Sequence, residues 1–280
     1  MMVQLKKLFT PVAPMESEEA RAYIRDHPEG SYLILDVRQP WEYEESHLPG
    51  AKLIPLPQLA EKYKELDPGK PTIVHCAVGG RSRVAAQLLS GLGFPEVYNL
   101  AGGIKAFQGE KAAGAVELNL DLVRGDETPG EILALAYGME KALQGFYETV
   151  PARRPDRDLA ALGAQLAQVE VRHQQRLAAI WEAESPDKTI KDLETAASTD
   201  ILEGGFKLQE FLAQNEAYLD TAPHVLELAM MLETQAMDLY LRFAGRCSQA
   251  ATKEVLYGIA GEEKAHLAAL GKLLDTKLRQ

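Results

Sequence analysis

The chain has 280 residues, of which 46% are hydrophobic and 25% are charged, and its formal net charge is −11. This length exceeds the usual size of one domain, and the apolar content is enough for two hydrophobic cores. A negative charge without a basic stripe argues against nucleic acid or an anionic membrane as a partner. No apolar run approaches a membrane span, and the first apolar stretch is too short for a signal peptide, so we expect a cytoplasmic protein.

The first half alternates short β-like segments with helical ones. The β-like segments are SYLILDV, KLIPL, TIVHC and VYNL, and the helical segments are SEEARAYIRDH, QLAEKYKEL and SRVAAQLLSGL. This alternation predicts an α/β domain with a parallel sheet. We assign residues 1–124 to this domain, with a linker that begins at about residue 111.

The third strong strand ends near Cys76, and the loop after it leads into a helix. Ligands bind at this end of the strands in open α/β sheets, and a loop that opens a helix presents N–H groups to an anion. The same field lowers the pKa of a thiol, which predicts a thiolate nucleophile at Cys76 with added charge from Arg81. A small buried apolar cysteine is the alternative. The loop that would cradle the sulfur contains Ala77, Val78, Gly79, Gly80 and Ser82.

Over about residues 5–110 the chain resembles the rhodanese family, in the ordered motifs LDVRQPWEYEESHLPGAKLIPL, HCAVGGRS and NLAGGIKAF. The resemblance implies that Cys76 carries sulfur and that Arg81 closes the loop. It also implies that the loop is supported by Asp36, Arg38 and Glu42. Four residues separate Cys76 from Arg81, whereas the related dual-specificity phosphatases have five, so the resemblance implies a sulfurtransferase. Its donor would be thiosulfate, a persulfide or a polysulfide, and its acceptor a thiol.

The second half, residues 125–280, is predicted to be helical. The pattern predicts long helices at about 129–149, 157–184, 223–245 and 250–278, and a short helix near 205–218. Thr128 as a cap and Pro129 in the first turn mark the start of the first long helix. The long crossover between the second and third helices indicates a ferritin-like four-helix bundle.

A set of polar residues recurs in this half at an offset of 93 residues: Glu140, Glu170 and His173 recur as Glu233, Glu263 and His266. Helical residues three apart lie on one face, so each Glu-x-x-His pair can aim a carboxylate and an imidazole at one point. Four buried carboxylates would repel one another unless cations offset the charge. The pattern therefore predicts two bridged iron or manganese ions, with solvated helix-surface residues as the alternative.

From about Thr128 to Gln280 the chain resembles the rubrerythrin family of di-iron proteins, in the stretches GMEKALQGFY, EVRH, LETQAMDLYLRF and EEKAH. The resemblance implies that the six residues above bind two iron ions, with manganese as the alternative metal. It also places Tyr147 and Tyr240 around the site, although core packing explains buried tyrosines equally well. Some rubrerythrins have an additional glutamate ligand, for which the candidates are Glu131, Glu227 and Glu262.

The chain has only two cysteines, Cys76 and Cys247, whereas rubrerythrins with a rubredoxin module carry four in that module. We therefore expect no rubredoxin iron–sulfur centre, an external electron donor, and Cys247 as a packed core residue. The combined interpretation is a sulfurtransferase fused to a non-haem di-iron domain with peroxidase-type activity. Two alternatives stay open. The helical domain could mainly form a homodimer or store metal, or its di-iron site could oxidise the sulfur carried by Cys76.

Overall fold

The computed structural model describes residues 11–153, 157–184, 187–197 and 200–279. The chain divides between Leu118 and Asn119 into two compact units. This division lies inside the predicted linker and before the predicted boundary at residue 124. The beginning of that linker is part of the first unit, because Ala112 and His47 exchange two backbone hydrogen bonds of 2.8 Å.

Five parallel strands form the sheet of the first unit, in the order β1-β5-β4-β2-β3. They are β1 (Pro14–Met15), β2 (Leu33–Asp36), β3 (Lys52–Leu53), β4 (Thr72–His75) and β5 (Val97–Leu100). Every residue of β4 is buried, as expected for a central parallel strand that is covered on both faces. The predicted α/β architecture is confirmed, and β1 is an edge strand that the sequence pattern did not reveal.

Helices cover both faces of this sheet. They are α1 (Ser17–Asp26), α2 (Pro40–Glu45), α3 (Leu56–Lys62), α4 (Gly80–Gly91) and α5 (Gly103–Ala106). Leu35 and Val74 face a cluster with residues of α3 and α4. Ile34 and Ile73 face the opposite cluster, with residues of α1, α2 and α5. Because successive strand residues point to opposite faces, one run of apolar residues supplies both cores.

The second unit is largely helical. Its helices are α6 (Pro129–Arg153), α7 (Arg157–Glu184), α8 (Ile190–Ala196), α9 (Leu208–Asn215), α10 (Ala222–Arg246) and α11 (Ala250–Leu278). The four long helices α6, α7, α10 and α11 lie within a few residues of their predicted positions. The Thr128 hydroxyl accepts from the Glu131 amide at 3.3 Å, and the Glu131 carboxylate accepts from the Thr128 amide at 2.8 Å. This reciprocal cap fixes the start of α6.

The long helices pack as two close pairs, α6 with α7 and α10 with α11, and further contacts join α6 to α11 and α7 to α10. Between α7 and α10, the described part of the crossover contains α8, α9 and short 3-10 turns, including one at Glu203–Gly205. Within the described residues, no helix has both the length and the apolar character needed to cross a membrane.

Candidate thiol site and candidate metal centre

Cys76 follows β4 directly, at the carboxyl end of the sheet, and its side chain is buried. Its Sγ accepts a hydrogen bond of 3.2 Å from the Gly79 amide. The Ser82 hydroxyl lies 3.4 Å from the same sulfur and 2.7 Å from Oδ1 of Asn99 on β5. Gly80 begins α4, so Arg81 and Ser82 belong to the first turn of that helix, while Val78 is exposed at the tip of the loop. Of the predicted loop residues, Gly79 and Ser82 therefore contact the sulfur directly.

The surroundings of Cys76 favour its thiolate. Burial raises the pKa of the thiol, but hydrogen bonds from the Ser82 side chain and from the backbone of Ser82, Val78 and Gly79 outweigh burial. The resulting pKa lies below the ordinary value for cysteine. Hydrogen bonds that point at the charged form of a group lower the pKa of an acid in this way, and the N-terminus of α4 adds a favourable dipole.

Glycines hold the loop against the segment after β5. Gly103 has φ +60°, and a Cβ placed on it would lie 2.3 Å from the Cys76 carbonyl oxygen. This close approach allows the Ile104 amide to donate to the Cys76 carbonyl at 2.8 Å and the Lys105 amide to donate to the Ala77 carbonyl at 3.1 Å. Only glycine combines this φ with this approach.

Arg81 is fixed in place by an ion pair with Glu42 of α2. Its guanidinium donates two hydrogen bonds of 2.7 Å to the Glu42 carboxylate. This bidentate pair lowers the pKa of Glu42 to about 2, although burial opposes the shift. The bond to Glu42 also raises the pKa of Arg81, and attraction to Cys76 adds to that rise. Arg81 therefore remains positively charged beside the thiol.

Asp36 and Arg38 form a second ion pair, which is buried at the end of β2. Arg38 Nη2 donates to Asp36 Oδ2 at 2.7 Å and to the Ser46 carbonyl at 2.6 Å. The pair thus joins the end of β2 to the end of α2, the helix that carries Glu42. Neither side chain forms a hydrogen bond with the Cys76 sulfur, so the pair supports the structure around it.

In the second unit the two predicted triads are assembled. Within each triad, one ligand atom per residue lies within 4.8 Å of the others; the triads are Glu140, Glu170, His173 and Glu233, Glu263, His266. Five of the six residues are buried, and His266 is partly exposed. The two imidazole rings stack at 3.5 Å with an angle of 5° between their planes. The residues that recur in the sequence therefore converge on one place.

The repeat extends to individual atoms. His173 Nδ1 lies 2.9 Å from Glu170 Oε2 and 3.3 Å from Glu140 Oε2. In the other half, His266 Nδ1 lies 2.9 Å from Glu263 Oε2 and 3.5 Å from Glu233 Oε2. In both halves the same imidazole nitrogen faces the carboxylate of its own motif and the carboxylate of the preceding long helix. Each half therefore presents one nitrogen and two oxygen donors to one point.

The polar residues form a layer between two apolar clusters. The residues of α6 before Glu140 belong to one cluster and the residues after it to the other. The same change occurs around Glu170 on α7 and around Glu233 on α10. An uninterrupted apolar core would be the less costly way to pack these helices, because buried carboxylates lose their hydration. The layer therefore requires a compensating ligand or extensive protonation.

The described residues compensate the buried carboxylates only in part. Burial first, and then neighbouring carboxylates, raise the pKa values of Glu140 and Glu263 well above their ordinary range. Hydrogen bonding to His266 lowers the pKa of Glu233 against the effect of burial. Glu263 Oε1 is buried without a hydrogen-bond partner among the described residues. Carboxylate oxygens with imidazole nitrogens are a donor set that fits iron or manganese.

A further glutamate, Glu203, belongs to this cluster and was missed by the sequence analysis. One of its oxygens lies within 4.8 Å of ligand atoms of Glu140 and Glu263, and the residue is fully buried. The three glutamates named as candidates for an additional ligand are elsewhere or otherwise engaged. Glu131 caps α6 and Glu227 is exposed, while Glu262 pairs with Arg176 at 2.5 Å. In the sequence, only the Gly204-Gly205 pair after Glu203 distinguishes it.

The two tyrosines around the cluster differ in their contacts. The Tyr240 hydroxyl donates to Glu203 Oε1 at 3.1 Å. The Tyr147 hydroxyl is buried with no hydrogen-bond partner among the described residues. Burial and the nearby carboxylates raise the pKa values of both well above the ordinary range for tyrosine, so both are neutral phenols.

Cys247 packs in the apolar cluster of α6 and α10, where burial raises the pKa of its thiol.

The comparisons with known proteins concern the first unit. The rhodanese-like domain family matches residues 18–110. The chain is 43% identical over 77 residues to protein YqhL of Bacillus subtilis (strain 168), covering 28% of this chain and 61% of the relative. It is 36% identical over 80 residues to the putative sulfur carrier protein YrkF of the same organism, covering 29% and 43%. A solved rhodanese with anions from E. coli is 33% identical with a TM-score of 0.28, covering 30% of this chain and 99% of that chain. The chain thus spans less than two thirds of these two curated relatives.

Proposed function

We propose that the rhodanese-like domain formed by residues 18–110 makes this chain a sulfurtransferase that carries sulfur as a persulfide on Cys76. The observation that carries the proposal is the set of hydrogen bonds to the Cys76 sulfur, which lowers the pKa of its thiol despite burial. The likeness to a protein named as a putative sulfur carrier supports the same activity.

The reaction begins with attack of the Cys76 thiolate on the outer sulfur of thiosulfate, or of a persulfide or polysulfide. A sulfur–sulfur bond forms at Cys76, the donor's own sulfur–sulfur bond breaks, and sulfite or a thiolate leaves with the electron pair. The loop amides and the N-terminus of α4 stabilise the terminal sulfur anion. An acceptor thiolate then attacks that sulfur and restores the Cys76 thiolate. Arg81, fixed by Glu42, supplies positive charge for an anionic donor.

The test is transfer of sulfur from thiosulfate to cyanide by the full-length chain. Cys76→Ser should abolish thiocyanate formation, because a hydroxyl at this position cannot carry the persulfide. Cys247→Ser is the matched control, since it removes the other cysteine of the chain, and it should retain transfer. Substantial transfer by Cys76→Ser, or its loss in a folded Cys247→Ser protein, would refute the assignment.

For the second unit we propose a ferritin-like domain that binds two non-haem iron ions, with manganese as the alternative metal. The six repeated residues would hold the ions: Glu140, Glu170, His173, Glu233, Glu263 and His266. Bound iron would supply redox chemistry suited to the reduction of hydrogen peroxide, with electrons from an external donor. The protein's own contribution is to gather the carboxylates, to fix the histidine nitrogens, and to keep the layer between two apolar clusters.

Elemental analysis of protein purified without added metal tests this second part. The wild-type chain should contain two ions, whereas Glu170→Ala and Glu263→Ala should each lower the metal content and the melting temperature, because a bound ion stabilises only the folded arrangement. Glu227→Ala is the control, because this exposed glutamate lies on the same helix as Glu233. A wild-type chain that binds neither iron nor manganese would favour a helical domain that only packs or dimerises.

A further inference from the structure

Glu203 lies outside the repeat of six residues, yet it is in the middle of the carboxylate layer. It comes from the crossover between α7 and α10, and it faces Glu140 of one triad and Glu263 of the other. We propose that Glu203 is a seventh protein ligand, supplied by the crossover and able to serve both metal ions. This inference rests on the metal centre proposed above.

The backbone around Glu203 is shaped to deliver this side chain. Gly204 and Gly205 follow it with φ +79° and +87°, values that other residues rarely adopt. A Cβ on Gly204 would lie 2.8 Å from Cβ of Gln235 on α10, so the turn is pressed closely against that helix. The Asn119 side chain donates to the Gly204 carbonyl at 2.9 Å. The crossover is therefore fixed at the point where Glu203 enters the layer.

The carboxylate of Glu203 is only half satisfied. Its Oε1 accepts the hydrogen bond of Tyr240, whereas Oε2 is buried without a hydrogen-bond partner among the described residues. No described Lys or Arg forms a salt bridge with it. A fully buried carboxylate oxygen without a hydrogen bond, grouped with the carboxylates of Glu140 and Glu263, is unfavourable in a purely structural role, because charge and desolvation act together. The same oxygen suits a cation placed in the layer.

A fifth carboxylate changes the charge balance of the proposed metal centre. Six ligands with four carboxylates balance the charge of two divalent ions, whereas a fifth carboxylate leaves one surplus negative charge. That surplus favours the trivalent over the divalent state of a bound iron ion, because Coulomb attraction in a buried site grows with the charge of the ion. The hydrogen bond from Tyr240 orients the fifth carboxylate, whereas the Tyr147 hydroxyl has no such acceptor among the described residues. Glu203 therefore makes the two halves of an otherwise repeated site different.

The experiment is a titration of the metal-free full-length chain with Co²⁺, followed by visible absorption and by calorimetry. The wild-type chain should bind two ions. Glu203→Gln should weaken at least one of them by roughly tenfold or more and change the absorption bands, because a ligand is lost. Glu227→Gln is the matched control: this exposed glutamate lies on α10, the helix of Tyr240 and Glu233, but outside the cluster, so its titration should equal that of the wild type.

Thermal unfolding of the metal-free variants separates a ligand from a structural residue. Glu203→Gln replaces a crowded buried carboxylate with a neutral side chain of similar size, so the metal-free variant should melt at or above the wild-type temperature while it binds Co²⁺ more weakly. Glu203→Gln with wild-type affinity and spectrum would overturn this inference and leave the six-ligand site intact. A wild-type chain that binds no Co²⁺, iron or manganese would overturn the metal centre itself.

Discussion

Gly103→Ala tests how the loop of Cys76 is held. An alanine at φ +60° costs about 1–2 kcal/mol in backbone conformation. Its Cβ would also lie 2.3 Å from the Cys76 carbonyl oxygen, so the loop must move away and lose the hydrogen bonds from the Ile104 and Lys105 amides. Each lost bond costs about 1 kcal/mol. We therefore expect the first unit to be destabilised by about 3–4 kcal/mol.

Gly93→Ala is the matched control for this substitution. Gly93 also has a positive φ, +100°, but a Cβ there would meet no atom within 4 Å, so only the conformational cost applies. Hydrogen exchange of peptides from β4 measures the opening of the first unit in the full-length chain. Gly103→Ala should destabilise the first unit by about 2 kcal/mol more than Gly93→Ala does, which is roughly a thirtyfold difference in the opening equilibrium. Equal effects of the two substitutions would refute the close approach of Gly103 to the loop.

Two further predictions concern charge in the first unit. Ser82→Ala removes a hydrogen bond that favours the thiolate, so the pKa of Cys76 should rise and its alkylation by iodoacetamide at pH 7 should slow. Ser90→Ala, further along α4, is the control and should leave the pH dependence of Cys76 alkylation unchanged. Glu42 has a lowered pKa in the folded protein, so its ion pair stabilises the fold above about pH 4.3 and is lost as the pH falls through about 2. Glu42→Gln should remove this pH dependence from thermal unfolding, and the loss at neutral pH should be about 1 kcal/mol, because Arg81 is 36% exposed. If the melting temperature of Glu42→Gln depended on pH between 2 and 5 as that of the wild type does, the ion pair of Glu42 and Arg81 would not have the assigned role.

The long helices were predictable because each presents many turns of regular apolar spacing and because Thr128 and Pro129 mark a helix start. The parallel sheet was predictable from alternating segments. The edge strand β1 was not, since two residues cannot show a period. The pairing of Ala112 with His47 near the start of the predicted linker was not predictable, because it is a contact between distant parts of the chain.

The site residues also divide into those that the sequence predicts and those that only the folded structure reveals. The six repeated residues could be found because spacing along helices determines which side chains share a face. Glu203 belongs to no repeat and lies in a segment without periodicity, so only the folded crossover reveals its position. Asn99, which contacts Ser82, and Gly103, which contacts the Cys76 loop, were visible only as parts of a motif. Their roles depend on the packing of β5 beside β4, which the spacing of residues in the sequence does not predict.

Native mass spectrometry of the full-length chain, purified without added metal and then incubated with thiosulfate, tests the central claim most directly. The account predicts a single species that carries two iron or manganese ions and one additional sulfur atom, with the sulfur located on the peptide that contains Cys76. Removal of the sulfur by cyanide should leave the two ions in place. A chain that acquires no sulfur at Cys76, or that contains no metal, would contradict the corresponding half of the account.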